Sequence, residues 1–103
     1  GVWGGHISCR NVERPGWAYV SEGQASADVM ANEMFAIKLS KTENLVERYG
    51  KHHSNRVAGG YNHESHACVN RDGTQIIFKS NFNNVTLKGL THAPSFVLTW
   101  PQN

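Results

Sequence analysis

His52, His53 and Arg56 crowd into one short stretch, and a cluster of that kind can meet a phosphate group. The chain carries six histidines, which together add positive charge as pH falls below about 6.5. His63, His66 and Cys68, with His6 and Cys9, are of the residue types that hold zinc. On a strand His66 and Cys68 share a face. Zinc centres favour tighter pairs such as C-x2-C, so neither a metal nor any other cofactor is expected. Trp3, Trp17 and Trp100 offer faces on which nucleic-acid bases can stack, although packing in or beside a core is the ordinary role for at least two of them. Cys9 and Cys68 allow one disulfide or two free thiols. A bridge would imply an oxidising compartment and would stabilise by about 3–5 kcal/mol through loop closure.

Bulk composition narrows the class. A length of 103 residues with 39% hydrophobic content points to one globular domain over 1–103, not a disordered tail. A formal net charge of +2 is too small to argue nucleic-acid binding by charge alone. No run approaches the roughly 18 apolar residues of a membrane span, so no membrane partner is expected, and the molecule is taken as a monomer. Asn84-Val85-Thr86 is a glycosylation sequon.

The elements that position these groups are expected as follows. Short strands are expected around 6–10 and 16–20. Residues 26–39 predict a helix: Ser26 can cap it, Asp28 suits its positive end, and Ala27, Met30, Met34 and Ile37 recur at helical spacing. Residues 40–48 fit either a helix end or a strand start. Strand signals resume over 61–69, and Asn70-Arg71-Asp72-Gly73 predicts a hairpin turn. Strands over 75–80, 85–91 and 96–100 complete the pattern. The expected fold is α+β: one helix on a twisted antiparallel sheet of about four or five strands.

Gly89, Leu90, Thr91, His92, Ser95, Phe96 and Val97 resemble the end of the sheet in the fungal guanyl-specific extracellular ribonucleases, where G-x-I-T-H is followed by S-x-x-x-F-V. Ser26-Ala27-Asp28-Val29 is similar to that family's S-x-D-V helix, and Tyr49 follows at about the distance of its Y-P-H strand start. The ordered set covers roughly two-thirds of the chain. The resemblance implies a microbial ribonuclease-like fold and cleavage of RNA by transphosphorylation. In such chemistry a base takes the 2′-hydroxyl proton and an acid protonates the leaving oxygen, while a fixed cation stabilises the developing charge. It places His92 as acid, Glu64 or His52 as base and Tyr49 at the phosphate, with Lys51, His53, Arg56 and Gln75 toward RNA.

Two positions depart from that pattern. Gln75 stands where the family has arginine, and strict register puts Lys51 where it has histidine. Glutamine can donate a hydrogen bond but carries no charge. The combination resembles the ribonuclease-like secreted effectors of powdery mildew fungi, which keep a scaffold while losing catalytic positions. Their aromatic-x-Cys mark is here Ile7-Ser8-Cys9, and their second cysteine, usually near the C-terminus, is here the internal Cys68. What this implies is a secreted plant-pathogen effector without efficient catalysis. It would act inside the host cell on RNA or host proteins and be open to recognition by a plant immune receptor. The alternative is an active guanyl-preferring ribonuclease.

Overall fold

The structure is a computed structural model, and it describes residues 5–21, 32–54, 65–82 and 93–100. Within them the chain forms strands β1 (His6–Ser8), β2 (Trp17–Ser21), β3 (Glu33–Lys38), β4 (Val46–Lys51), β5 (Cys68–Val69), β6 (Gln75–Lys79) and β7 (Ser95–Thr99). The first four make an antiparallel sheet in the order β1-β2-β3-β4, and the last three a second one in the order β5-β6-β7. Tyr19, Met34 and Ala36 of the first sheet meet Val69, Ile76 and Phe78 of the second in one buried core.

The described residues contain no helix, so the α+β expectation is corrected to an all-β fold. The one-helix scaffold implied by the ribonuclease resemblance is not their architecture. Residues 33–38, taken as the second half of a helix, are the interior strand β3, paired with β2 on one side and β4 on the other. Ser26, Ala27 and Met30 lie outside the described residues. The physical reason is visible in Met34-Phe35-Ala36-Ile37. Met34 to Ala36 are buried on both faces and Ile37 is exposed, so the short apolar run has no decisive period, and Phe35 and Ile37 are strand-favouring types. Glu33 opens the strand although buried, because Arg48 of β4 holds its carboxylate through Nε at 3.0 Å and Nη2 at 2.7 Å.

The expected strands near the N-terminus, over 75–80 and at the closing segment correspond to β1, β2, β6 and β7. The ambiguous stretch resolves into coil followed by β4. The expected strand over 85–91 and the sequon at Asn84 lie outside the described residues.

The two sheets are joined by serines. An outer strand leaves backbone N–H groups without ladder partners, and burial makes that costly. Here Ala67 N–H donates to Ser21 Oγ at 3.1 Å and Val69 N–H to Ser8 Oγ at 3.3 Å. Both serines face inward from the first sheet and are buried. The rings of His6 and His66 stack beside them, centroids 3.6 Å apart. Cys9 is exposed and Cys68 half-buried, and both are free thiols. Ser8 Oγ donates to Cys68 Sγ at 3.6 Å.

The turn between β5 and β6 is the hairpin that the sequence predicts. Asn70 Oδ1 accepts from the N–H groups of Thr74 and Gln75 at 2.9 and 3.1 Å. Gly73 has φ +75°, and a Cβ there would stand 2.7 Å from Tyr19 Oη and 3.0 Å from Arg14 Cδ. Gly73→Ala should therefore combine backbone strain with a clash and destabilise by about 1–3 kcal/mol. Denaturant melts check this; an unchanged midpoint would contradict the close approach.

Candidate functional site

Tyr49 sits in the most heavily bonded polar cluster of the described residues. Glu47 and Tyr49 are two apart on β4 and share its inner face. A register shift at Met34/Phe35 puts Gly50 opposite Met34 and leaves Tyr49 without a partner residue on β3. Gly50 has φ +149° there, fitting for a bulge. Arg14 reaches the same place from the β1–β2 connection. That turn is fixed by Asn11 Nδ2, which donates to the carbonyls of Arg14 and Trp17 at 2.7 and 2.9 Å.

The cluster closes on itself. Arg14 Nη2 donates to Glu47 Oε1 at 2.6 Å, and Nη1 to Tyr19 Oη at 2.7 Å and Tyr49 Oη at 3.3 Å. Tyr49 Oη donates to Glu47 Oε2 at 2.7 Å, and Tyr19 Oη to the Gly73 carbonyl at 3.1 Å. The guanidinium lies 4.3 Å from the Trp17 ring centroid. Tyr49 stacks on Trp100 at 4.1 Å and on Tyr19 at 5.8 Å.

Proton affinities follow from these contacts. Burial works against the charge of Arg14, but its bonds to Glu47, Tyr19 and Tyr49 outweigh that and raise its pKa further. The Arg14 bond pulls the Glu47 carboxyl below its ordinary value against the opposing effect of burial. Burial and then the adjacent carboxylate push the Tyr49 phenol up. The result is an ionised carboxylate of low basicity, a neutral phenol and a committed cation. None of them is poised near neutral pH, where general acid–base catalysis works best.

Of the remaining expected site residues that the structure describes, Gln75 stands apart from the Tyr49 cluster, and Lys51, His52 and His53 follow one another at the end of β4. Gln75 is on the outward face of β6, where its Nε2 donates to Thr99 Oγ1 at 3.3 Å, and it takes no part in the Tyr49 cluster. Lys51 ends β4 and is exposed. His52 is 1% exposed, and its Nδ1 accepts from the Ser54 N–H at 3.0 Å. His53 is exposed. Glu64, Arg56 and His92 lie outside the described residues, as do Trp3 and His63. No group of three or more metal-ligating side chains occurs among the described residues. Sequence reasoning passed over Arg14, Tyr19 and Glu47. The available signal was Glu47-x-Tyr49, a spacing that puts both on one face once 46–51 is a strand.

A second feature lies where the two sheets end. His53 and Phe82 adopt left-handed backbone angles, φ +58° and +48°. Such angles cost bulky residues about 1–3 kcal/mol each. The strain is held by buried neighbours. His52 N–H donates to the Asn32 carbonyl at 2.9 Å, Asn81 N–H to Ser54 Oγ at 3.4 Å, and Phe82 N–H to Ser80 Oγ at 2.9 Å. Between these anchors the His53 and Phe82 rings stack at 5.7 Å, and Phe96 of β7 meets Phe82 edge-on at 4.7 Å. A separate open groove of ≈ 520 Å³ is lined by Arg10, Val12, Val69, Asn70 and Arg71.

Fold and surface together define a two-sheet all-β domain with a closed polar cluster and exposed aromatic and cationic groups. Comparison of the chain with family models, with curated proteins and with solved structures finds no match.

Proposed function

We propose that this chain is a non-catalytic RNA-binding protein, a secreted effector that engages host RNA without cleaving it. The observation that carries the non-catalytic part is the closure of the Arg14–Glu47–Tyr49 cluster. Its carboxylate and cation neutralise each other, and no described histidine joins them. Gln75 faces away and His52 is buried, so neither supplies a charge or a proton there. RNA is favoured as ligand by one exposed group of rings with a cation near it in the chain, His53, Phe82 and Lys51, and by Arg10 on a groove whose Arg71 is already paired with Glu13. The aliphatic Ile7, Val12, Leu39 and Val97 are exposed as well. Secretion, action in a host plant cell and detection by an immune receptor rest on the sequence resemblance.

The test is incubation of excess protein with short single-stranded RNA containing all four bases, followed by denaturing and native electrophoresis. The expected outcome is retarded RNA with no fragments beyond buffer. Raising salt from 50 to 200 mM should weaken binding roughly tenfold if two or three phosphates are neutralised. Cleavage that disappears in His92→Ala would establish the active ribonuclease instead.

A further inference from the structure

We infer that the rings of His53, Phe82 and Phe96 are the stacking site for a base of single-stranded RNA, with Lys51 supplying charge to the neighbouring phosphate; this rests on the RNA-binding proposal. Three independent features of the surface point there.

First, the rings are exposed although two of them are apolar. Phe82 is 48% and Phe96 37% exposed. Phe78, whose ring centroid is 5.9 Å from that of Phe96, is buried, so the two exposed rings differ from their phenyl neighbour. Second, the backbone is strained in a way that displays rings. His52, Ser54, Ser80 and Asn81 are all buried, and the left-handed residues beside them, His53 and Phe82, turn outward. Asparagine or glycine would take those angles at less cost. Strain kept at an exposed aromatic pair is of the kind that collects at ligand sites. Third, charge is at hand. Lys51 is exposed two positions before His53, within about 7 Å along an extended chain. An exposed ring pair with a third ring edge-on to it and a lysine two positions away matches a base and its phosphate, and stacking is indifferent to which base is presented. A sugar ligand fits less well, because the nearby hydroxyls and amide, from Ser54, Ser80 and Asn81, are buried.

The experiment compares wild type with Phe82→Asn and His53→Asn. Asparagine accepts left-handed angles, so both variants keep the backbone while losing a ring, and thermal melts verify folding. Affinity is measured for an eight-nucleotide RNA and for the same strand with abasic sites. The expected result is a loss of about five- to a hundredfold on intact RNA in each variant. The wild type should lose a similar factor on abasic RNA, while the variants should hardly distinguish the two strands. Wild-type binding that both variants retain in full would overturn the stacking site and leave the RNA-binding proposal standing. An equal loss on intact and abasic strands would overturn it too, because the rings would then act by shape and not by stacking. No wild-type binding to either strand would overturn both proposals.

Discussion

Met34→Ala should lower the free energy of unfolding by about 2–5 kcal/mol, while Ile37→Ala, three positions along the same apolar run, should cost less than about 1 kcal/mol. Met34 is 1% exposed and packs with Tyr19, Ala36, Val69, Ile76 and Phe78, whereas Ile37 is 38% exposed on the other face of β3. On a helix the two would share a stripe and both would weigh on the core. On a strand they point to opposite sides. For a domain of this size 1 kcal/mol moves Tm by about 4–8 °C, so Met34→Ala should melt at least about 8 °C below wild type. Equal, large losses at both positions would contradict the strand.

Arg14→Ala should be a damaging polar substitution, costing about 2 kcal/mol. The ion pair alone contributes little, since the side chains of Arg14 and Glu47 are 28% and 43% exposed. The larger part comes from the bonds to two tyrosines and from the Trp17 face. Arg14→Lys should recover less than half, because an ammonium cannot reach the carboxylate and both phenols and lie over the Trp17 ring at once. The pH dependence has a definite sign. Glu47 titrates lower in the folded than in the unfolded state, so its contribution is complete above the ordinary carboxylate pKa of about 4.3. It is lost as pH falls through the lower folded value. The gap between wild type and Arg14→Ala should therefore be widest at pH 5 or above and narrow in strong acid. A gap independent of pH would show that the Glu47 carboxylate contributes nothing to what Arg14 adds.

Much of the strand content was legible in the sequence. Asn70-Arg71-Asp72-Gly73 announces its turn because Asn70 and Gly73 are chemically suited to it. Gln75 to Lys79 reads as a strand from its short β-favouring apolar run, and its burial alternates, with Ile76 and Phe78 inward and Ile77 exposed. The helix expected over 26–39 does not form at 33–38: Met34 and Ile37 fit a helical stripe, but Phe35 and Ala36 between them fit a doubly buried strand equally well. Only the partners β2 and β4, distant in sequence, decide between the two. The polar cluster was hidden for the same reason. Arg14 and Glu47 are far apart in sequence, and their meeting depends on a four-strand order that no local pattern encodes. The resemblance expects Tyr49 at a phosphate; in the structure its hydroxyl meets Arg14 and Glu47 and its ring stacks on Trp100. The strain at His53 and Phe82 leaves no mark in composition at all.

The most direct test follows the fluorescence anisotropy of an end-labelled single-stranded RNA over hours after mixing with excess protein at neutral pH. A prompt rise that then holds steady, and is reversed by added salt, is the predicted result: RNA bound and left intact. A rise that decays as short labelled fragments are released, or no rise at any protein concentration, would contradict it.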